Sequence, residues 1–68
     1  MMVKILLNGA PREVVANLSV GELLDAEGYA QRKVAVEVNR EIVPRSLHAQ
    51  RVVRDGDRIE IVHAIGGG

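Results

Sequence analysis

The sequence contains no cysteine, phenylalanine or tryptophan, and its only aromatic residue is Tyr29. Without cysteine, neither a disulfide nor a thiolate metal site can stabilise the fold. The core must therefore come from eleven valines, six leucines and five isoleucines. Val and Ile are β-branched and favour strands, so a sheet is predicted as the main element. At 68 residues the chain makes one small domain, near the lower size limit for a stable core.

The sequence also has no excess of charge, because nine basic residues balance nine acidic ones. Nucleic acids and anionic membranes select strongly basic proteins, so neither is expected as a partner. The start of the chain, Met1–Lys4, lacks a signal-peptide layout, and no apolar run approaches membrane-spanning length. A cytoplasmic protein is expected. The two histidines, His48 and His63, are too few and too far apart to predict a metal site.

Alternating apolar residues predict a first strand over 2–7. Asn8-Gly9 follows, and both residues tolerate the positive φ of the type I′ turn that joins two hairpin strands. The returning strand is predicted over 12–16. Pro11 cannot donate a backbone hydrogen bond, so it is expected either in an edge strand or at the start of a strand.

The segment that follows is typical of a helix start. Ser19 can accept a hydrogen bond from the amide of Glu22, and the Glu22 carboxylate can accept one from the Ser19 amide, which is a capping box. Gly28 is expected to end this short helix in the left-handed conformation. Gly21 in the first turn costs up to about 1 kcal/mol relative to alanine, so the helix depends on packing.

The pattern in the second half of the chain predicts two more strands and, between them, a short strand that reverses direction. Valines alternate over 34–39, and Ile42-Val43 begins a return. Ser46 is expected to cap a single helical turn. The sequence Asp55-Gly56-Asp57 predicts a turn before the last strand at 58–62, and the tripeptide Arg54-Asp55-Gly56 is interpreted as part of this turn. Ile59 and Ile61 are expected to face inward, and His63 is expected on their side, at the base of the C-terminal tail.

One helix packed across a mixed sheet of four to five strands is the two-layer solution for these elements. The fold class is therefore α+β, with the layout of a β-grasp, or ubiquitin-like, fold. The domain is expected to cover residues 1–65, and residues 66–68 are expected to form a flexible glycine tail.

The three glycines allow two interpretations. They are a frayed end or a remnant of an expression linker, or they form a bare arm that delivers the Gly68 carboxylate into a partner's narrow active site. A glycine run has no side chains to pack, so it adds nothing to a core.

Several motifs in order resemble the ThiS family of bacterial sulfur carriers in thiamin biosynthesis. The resemblance covers nearly the whole chain. It is carried by the "LNG" at 7–9, the "ELL" at 22–24, the "VN" and "IVPR" of 36–45, the "DGDRIEI" at 55–61 and the final Gly67-Gly68.

The resemblance implies a carrier that is a co-substrate and not an enzyme. A ThiF-type adenylyltransferase would use ATP and Mg²⁺ to convert the Gly68 carboxylate into an acyl adenylate. Sulfur from a cysteine desulfurase or sulfurtransferase would then give a thiocarboxylate, which thiazole synthase (ThiG type) would accept. The chain itself would bind no cofactor and no metal.

Two groups of candidate site residues follow. Gly68 and Gly67 form the reactive end. The partner surface is expected to include Gly66, Ile65, Ala64, Val62, Ile42 and Val43.

Three alternatives stay open at this point. The small subunit of molybdopterin synthase also ends in Gly-Gly and carries sulfur in the same way. A ubiquitin-like modifier would share the activation step but form isopeptide bonds. A β-grasp binding module with inert glycines would be indifferent to loss of Gly67 and Gly68.

Overall fold

The computed structural model describes residues 1–30 and 32–63, and over these residues it confirms the predicted order of elements. Within this part of the chain there are five strands, one α-helix and one 3-10 turn. In chain order they are β1 (Met2–Leu7), β2 (Ala10–Val15), α1 (Val20–Ala26), β3 (Val34–Val38), β4 (Glu41–Ile42), the 3-10 turn (Arg45–Leu47) and β5 (Arg58–His63).

The strands form one sheet in the order β2-β1-β5-β3-β4. The first and last strands, β1 and β5, lie side by side and run parallel, whereas the other neighbours are antiparallel. A parallel pair needs a long crossover connection, and the segment that carries α1 is part of it. The mixed sheet and the α+β class are confirmed.

The hairpin between β1 and β2 has the predicted turn. Asn8 and Gly9 both have positive φ, at 50° and 85°, as a type I′ turn requires. Strand β2 begins at Ala10, two residues earlier than predicted, and includes Pro11. Proline is tolerated there because β2 is an edge strand with a neighbour on one side only.

Helix α1 has the predicted capping box. The Ser19 hydroxyl accepts a hydrogen bond from the Glu22 amide at 3.0 Å, and the Glu22 carboxylate accepts one from the Ser19 amide at 2.9 Å. The helix is seven residues long, followed by Gly28 at a φ of 85°. In the described part of the chain, no helix has the length and apolarity needed to cross a membrane.

The core lies between α1 and one face of the sheet. Alternate residues of each central strand point into it, so the period of two in the sequence corresponds to burial in the structure. The buried apolar residues are Ile5, Leu7, Val20, Leu23, Leu24, Val36, Val38, Val43, Val53, Ile59 and Ile61.

The prediction that Ser46 caps the short turn is wrong. Ser46 lies inside the 3-10 turn, whose N-cap is Pro44 and has no side-chain hydrogen bond. The turn is instead held by backbone bonds, including one from the Gly21 amide to the His48 carbonyl at 2.8 Å. The backbone of α1 therefore packs directly on this segment.

We expect Gly21→Ala to stabilise the fold by about 0.5 to 1 kcal/mol, since alanine reduces the entropy of the unfolded chain. An added Cβ would lie 3.5 Å from the His48 carbonyl oxygen, which is an ordinary contact. The free energy of unfolding in urea measures the effect.

Gly28→Ala is the matched control for this prediction. Its Cβ would meet no atom within 4 Å, but its φ of 85° is strained for alanine. We expect a loss of about 1 to 2 kcal/mol from backbone strain alone. If Gly21→Ala is as destabilising as Gly28→Ala, then Gly21 is required for close packing and the prediction is wrong.

Candidate functional site

The candidate reactive end lies outside the described residues. This applies to Gly67 and Gly68, to the binding candidates Ala64, Ile65 and Gly66, and to the expected domain boundary after residue 65. The site is therefore built from its base, which is the end of β5 at His63.

Strand β5 is held from both sides. It pairs with β1 at Leu6–Arg58 and Leu7–Ile59. On its other side it pairs with β3 along its length, from Val38–Ile59 to Val34–His63. Ile59 is completely buried. The segment that leads to the tail is thus the central strand of the sheet.

Asn8 extends the pairing of β5 beyond the end of β1. Its amide donates to the Ile59 carbonyl at 2.9 Å, and its side-chain oxygen Oδ1 accepts from the Ile61 amide at 2.7 Å. The side chain thus takes the place of a backbone carbonyl that β1 does not provide. Asparagine suits this turn position because its short polar side chain tolerates positive φ.

A second asparagine fixes the beginning of β5. Asn39, at a φ of 53°, accepts from the Arg58 amide at 2.9 Å and donates to the Asp57 carboxylate at 2.9 Å. Asp57 is buried, and its other oxygen accepts from the Arg54 amide at 2.8 Å. A buried carboxylate is costly unless it is hydrogen-bonded, and here both oxygens have partners.

The end of β5 contacts Tyr29, the only Phe, Tyr or Trp residue in the sequence. The centroids of the His63 and Tyr29 rings are 5.6 Å apart, with their planes tilted by 53°. Because side chains alternate along a strand, His63 shares the helix-facing side with Ile59 and Ile61. The predicted position of His63 at the base of the tail, on that side, is confirmed.

No helix formed by the described residues covers the opposite face of the sheet, and we call this the open face. Strand alternation and register place on it five of the large exposed apolar residues of the described chain. They are Met2, Leu6, Val15, Ile42 and Val62.

The predicted partner surface needs one correction. Ile42 and Val62 are 62% and 52% exposed, but Val43 is only 8% exposed and belongs to the core. Its amide donates to the Val36 carbonyl, which continues the pairing of β4 by one residue. Neighbouring residues of a strand point to opposite faces, so Ile42 and Val43 cannot both lie on the open face.

The described residues contain no group of three His, Cys, Asp or Glu side chains that could hold a metal ion. The His48 ring nitrogen Nε2 lies 3.0 Å from the Val43 carbonyl oxygen, so this histidine has a structural partner. The tripeptide at 54–56 lies in the turn before β5, as expected.

Comparison with known proteins identifies the family. A model described as the ThiS family matches residues 5–68. The sulfur carrier protein ThiS of Escherichia coli K12 is 38% identical over 65 residues, which are 96% of this chain and 98% of that protein. A crystal structure of the thiamine biosynthesis protein ThiS from Geobacter metallireducens superposes with a TM-score of 0.85 at 38% identity, covering 97% of this chain and all of that one.

Longer proteins also contain a region similar to this chain. A thiazole synthase of Paramagnetospirillum magneticum is 52% identical over 65 residues, which are 96% of this chain. A thiazole synthase of Magnetococcus marinus is 45% identical over the same length. The chain spans about a fifth (20%) of the length of these two relatives.

We expect Asn8→Gly to destabilise the fold by about 1 to 3 kcal/mol, because it leaves the Ile61 amide without its acceptor. Glycine adopts the positive φ at position 8 without strain, so the loss of unfolding free energy measures the missing hydrogen bond. Hydrogen exchange at the Ile61 amide should accelerate together with the fall in unfolding free energy.

Asn8→Asp is the control, since a carboxylate retains the acceptor oxygen at the same position. It should protect the Ile61 amide as the wild type does. Equal exchange at Ile61 in the wild type and in Asn8→Gly would show that this bond does not hold β5.

Proposed function

The chain belongs to the ThiS family, the sulfur carrier proteins of thiamine biosynthesis, and we propose that the carboxylate of Gly68 is its reacting group. The protein is a carrier and not an enzyme. The proposal is supported most by the family match, which runs through the three glycines to residue 68.

The proposed reaction has three steps, each performed by a partner. A ThiF-type adenylyltransferase, using ATP and Mg²⁺, joins the Gly68 carboxylate to AMP and releases pyrophosphate. The terminal sulfur of a cysteine persulfide on a desulfurase or sulfurtransferase attacks the acyl adenylate and displaces AMP, which gives an acyl disulfide. A partner thiol then cleaves the S–S bond of this disulfide, so that the thiocarboxylate is released and the thiol is oxidised to a disulfide. Thiazole synthase then takes the sulfur. The chain contributes the carboxylate and carries it to each partner. A cytoplasmic location stays a prediction.

In this proposal, the folded part of the chain binds the partner while the tail enters the active site. Five residues follow His63, and the last of them is Gly68. A fully extended segment of five residues spans at most about 17 to 18 Å. Each tail residue ordered in a partner's channel costs about 1 to 2 kcal/mol. The body must therefore supply binding surface close to His63.

We propose that the open face around Val62 is this surface, with Ile42 contributing from β4, which lies two strands away on the same face. Val62 directly precedes His63 and is half exposed. The similarity of this chain to a region of longer thiazole synthases supports thiazole synthase as one occupant. Large exposed apolar residues grouped on one face of a small domain are typical of an interface.

The first test is an intact mass. The protein is incubated with ATP, Mg²⁺, a sulfur source and a ThiF-type enzyme that is active on its own carrier. We expect a gain equal to the difference between sulfur and oxygen, localised to the peptide that ends at Gly68. The gain should be absent without ATP.

Deletion of Gly67 and Gly68 is the matched variant. We expect unchanged unfolding free energy, because glycines add nothing to the core, and no gain in mass. Sulfur incorporation in the deletion variant would reject Gly68 as the reacting group. Transfer to thiazole synthase or to a molybdopterin synthase large subunit then separates the two sulfur-carrier pathways.

A second prediction concerns the open face. Val62→Asp should raise the KM of the activating enzyme or of thiazole synthase for the carrier at least about tenfold, since burial of a valine is worth about 1.5 to 3 kcal/mol. Initial rates at increasing carrier concentration measure this effect.

Val15→Asp is the matched control, because Val15 has the same chemistry, a similar exposure of 51% and the same face. It lies opposite Met2 on the outer edge strand, at the far end of the sheet from His63. Equal effects of the two substitutions would place the interface elsewhere.

A further inference from the structure

The contact between Tyr29 and His63 joins the end of α1 to the last described residue before the tail. A centroid separation of 5.6 Å with tilted planes is within the favourable range for aromatic pairs. Tyr29 is half-buried and packs against the core, whereas His63 is exposed. The contact thus joins an exposed side chain to one that packs against the core.

Tyr29 is fixed by the way in which α1 ends. The Tyr29 amide donates to the Leu24 carbonyl at 2.8 Å, and the Gly28 amide donates to the Asp25 carbonyl at 3.2 Å. These two bonds form a Schellman motif, with Gly28 in the left-handed position. The Tyr29 carbonyl in turn accepts from the Arg32 amide at 3.0 Å. Both backbone polar groups of Tyr29 are therefore held.

His63 is constrained from a second direction by the sheet. Its backbone lies opposite Val34, where β3 begins. Strand β1 stops earlier, and Asn8 supports β5 only as far as Ile61. On the β1 side of the sheet, no strand of the described chain accompanies β5 to His63. At His63, β5 therefore pairs only with β3, and the Tyr29 ring adds a side-chain contact there.

We propose that Tyr29 is a positioning residue for the proposed reaction of Gly68: by holding the side chain of His63, it fixes the end of β5, from which the carboxylate is delivered. This inference rests on the proposed function. A tilt of about 20° at His63 would displace the far end of a fully extended 17 Å arm by about 6 Å. Adenylation needs the carboxylate in line with ATP, so a base that is already aligned reduces the ordering cost of productive binding.

The experiment measures pyrophosphate release by the ThiF-type enzyme at increasing concentrations of full-length carrier. For His63→Ala we expect KM to rise about two- to tenfold, the range that an aromatic pair is worth, with kcat unchanged. A change in KM alone indicates loss of binding made equally in the ground and transition states. Loss of the same contact should lower the melting temperature by only a few degrees, so the carrier stays folded in the assay.

Tyr29→Ala and Tyr29→Phe complete the design. Tyr29→Ala also loses core packing, so it is assayed well below its melting temperature and combined with His63→Ala in a double-mutant cycle. We expect the double variant to have the same KM as Tyr29→Ala, because the second truncation removes a contact that is already lost. Tyr29→Phe keeps the ring and should restore the wild-type KM.

Three results would overturn the inference. An unchanged KM for His63→Ala would mean that the ring contact is only structural. Additive effects in the cycle would mean that the two residues act separately. A fall in KM for either alanine variant would mean that the contact holds the tail away from the enzyme. If the wild type itself is not adenylated, the proposed function fails first; if it is adenylated normally, only the role of Tyr29 is in question.

Discussion

The position of β5 between β1 and β3 is the constraint on which the rest of the structure depends. This strand supplies the completely buried Ile59, pairs on both of its sides and ends at the base of the candidate reactive tail. Because both neighbours use its backbone groups, β5 cannot shift in register without breaking two sets of hydrogen bonds. Strand β5 is therefore a rigidly held base for the candidate reactive end.

The parts of the fold that could be predicted from the sequence are those decided by neighbouring residues. The capping box at Ser19 and Glu22, the Asn8-Gly9 turn and the left-handed Gly28 each depend on a few adjacent side chains. Strand periodicity likewise predicted which residues of β5 face the core. The parallel direction of β1 and β5 follows once the two strands lie side by side, because the connection between them contains a helix.

What the sequence could not predict depends on contacts between distant residues. The bond from the Ile61 amide to Asn8 spans 53 positions, and the one from Asn39 to Asp57 spans 18. Both asparagines stand out in the sequence only as turn residues. The burial of Val43 was missed for a different reason. Ile42 and Val43 form one apolar pair in the sequence, but alternation along the strand places them on opposite faces of the sheet. The approach of Tyr29 to His63 has no local signal.

The pairing of the first strand with the last also has a consequence for how the protein is made. Leu6 pairs with Arg58, so the centre of the sheet joins segments from the two ends of the chain. Contacts of such high sequence separation form late, because the long intervening loop must close first. During synthesis the β1–β2 hairpin and α1 emerge from the ribosome well before the strand on which they pack. The nascent chain therefore cannot acquire its native sheet until residue 63 has been added, and a truncated translation product would lack the core as well as the tail.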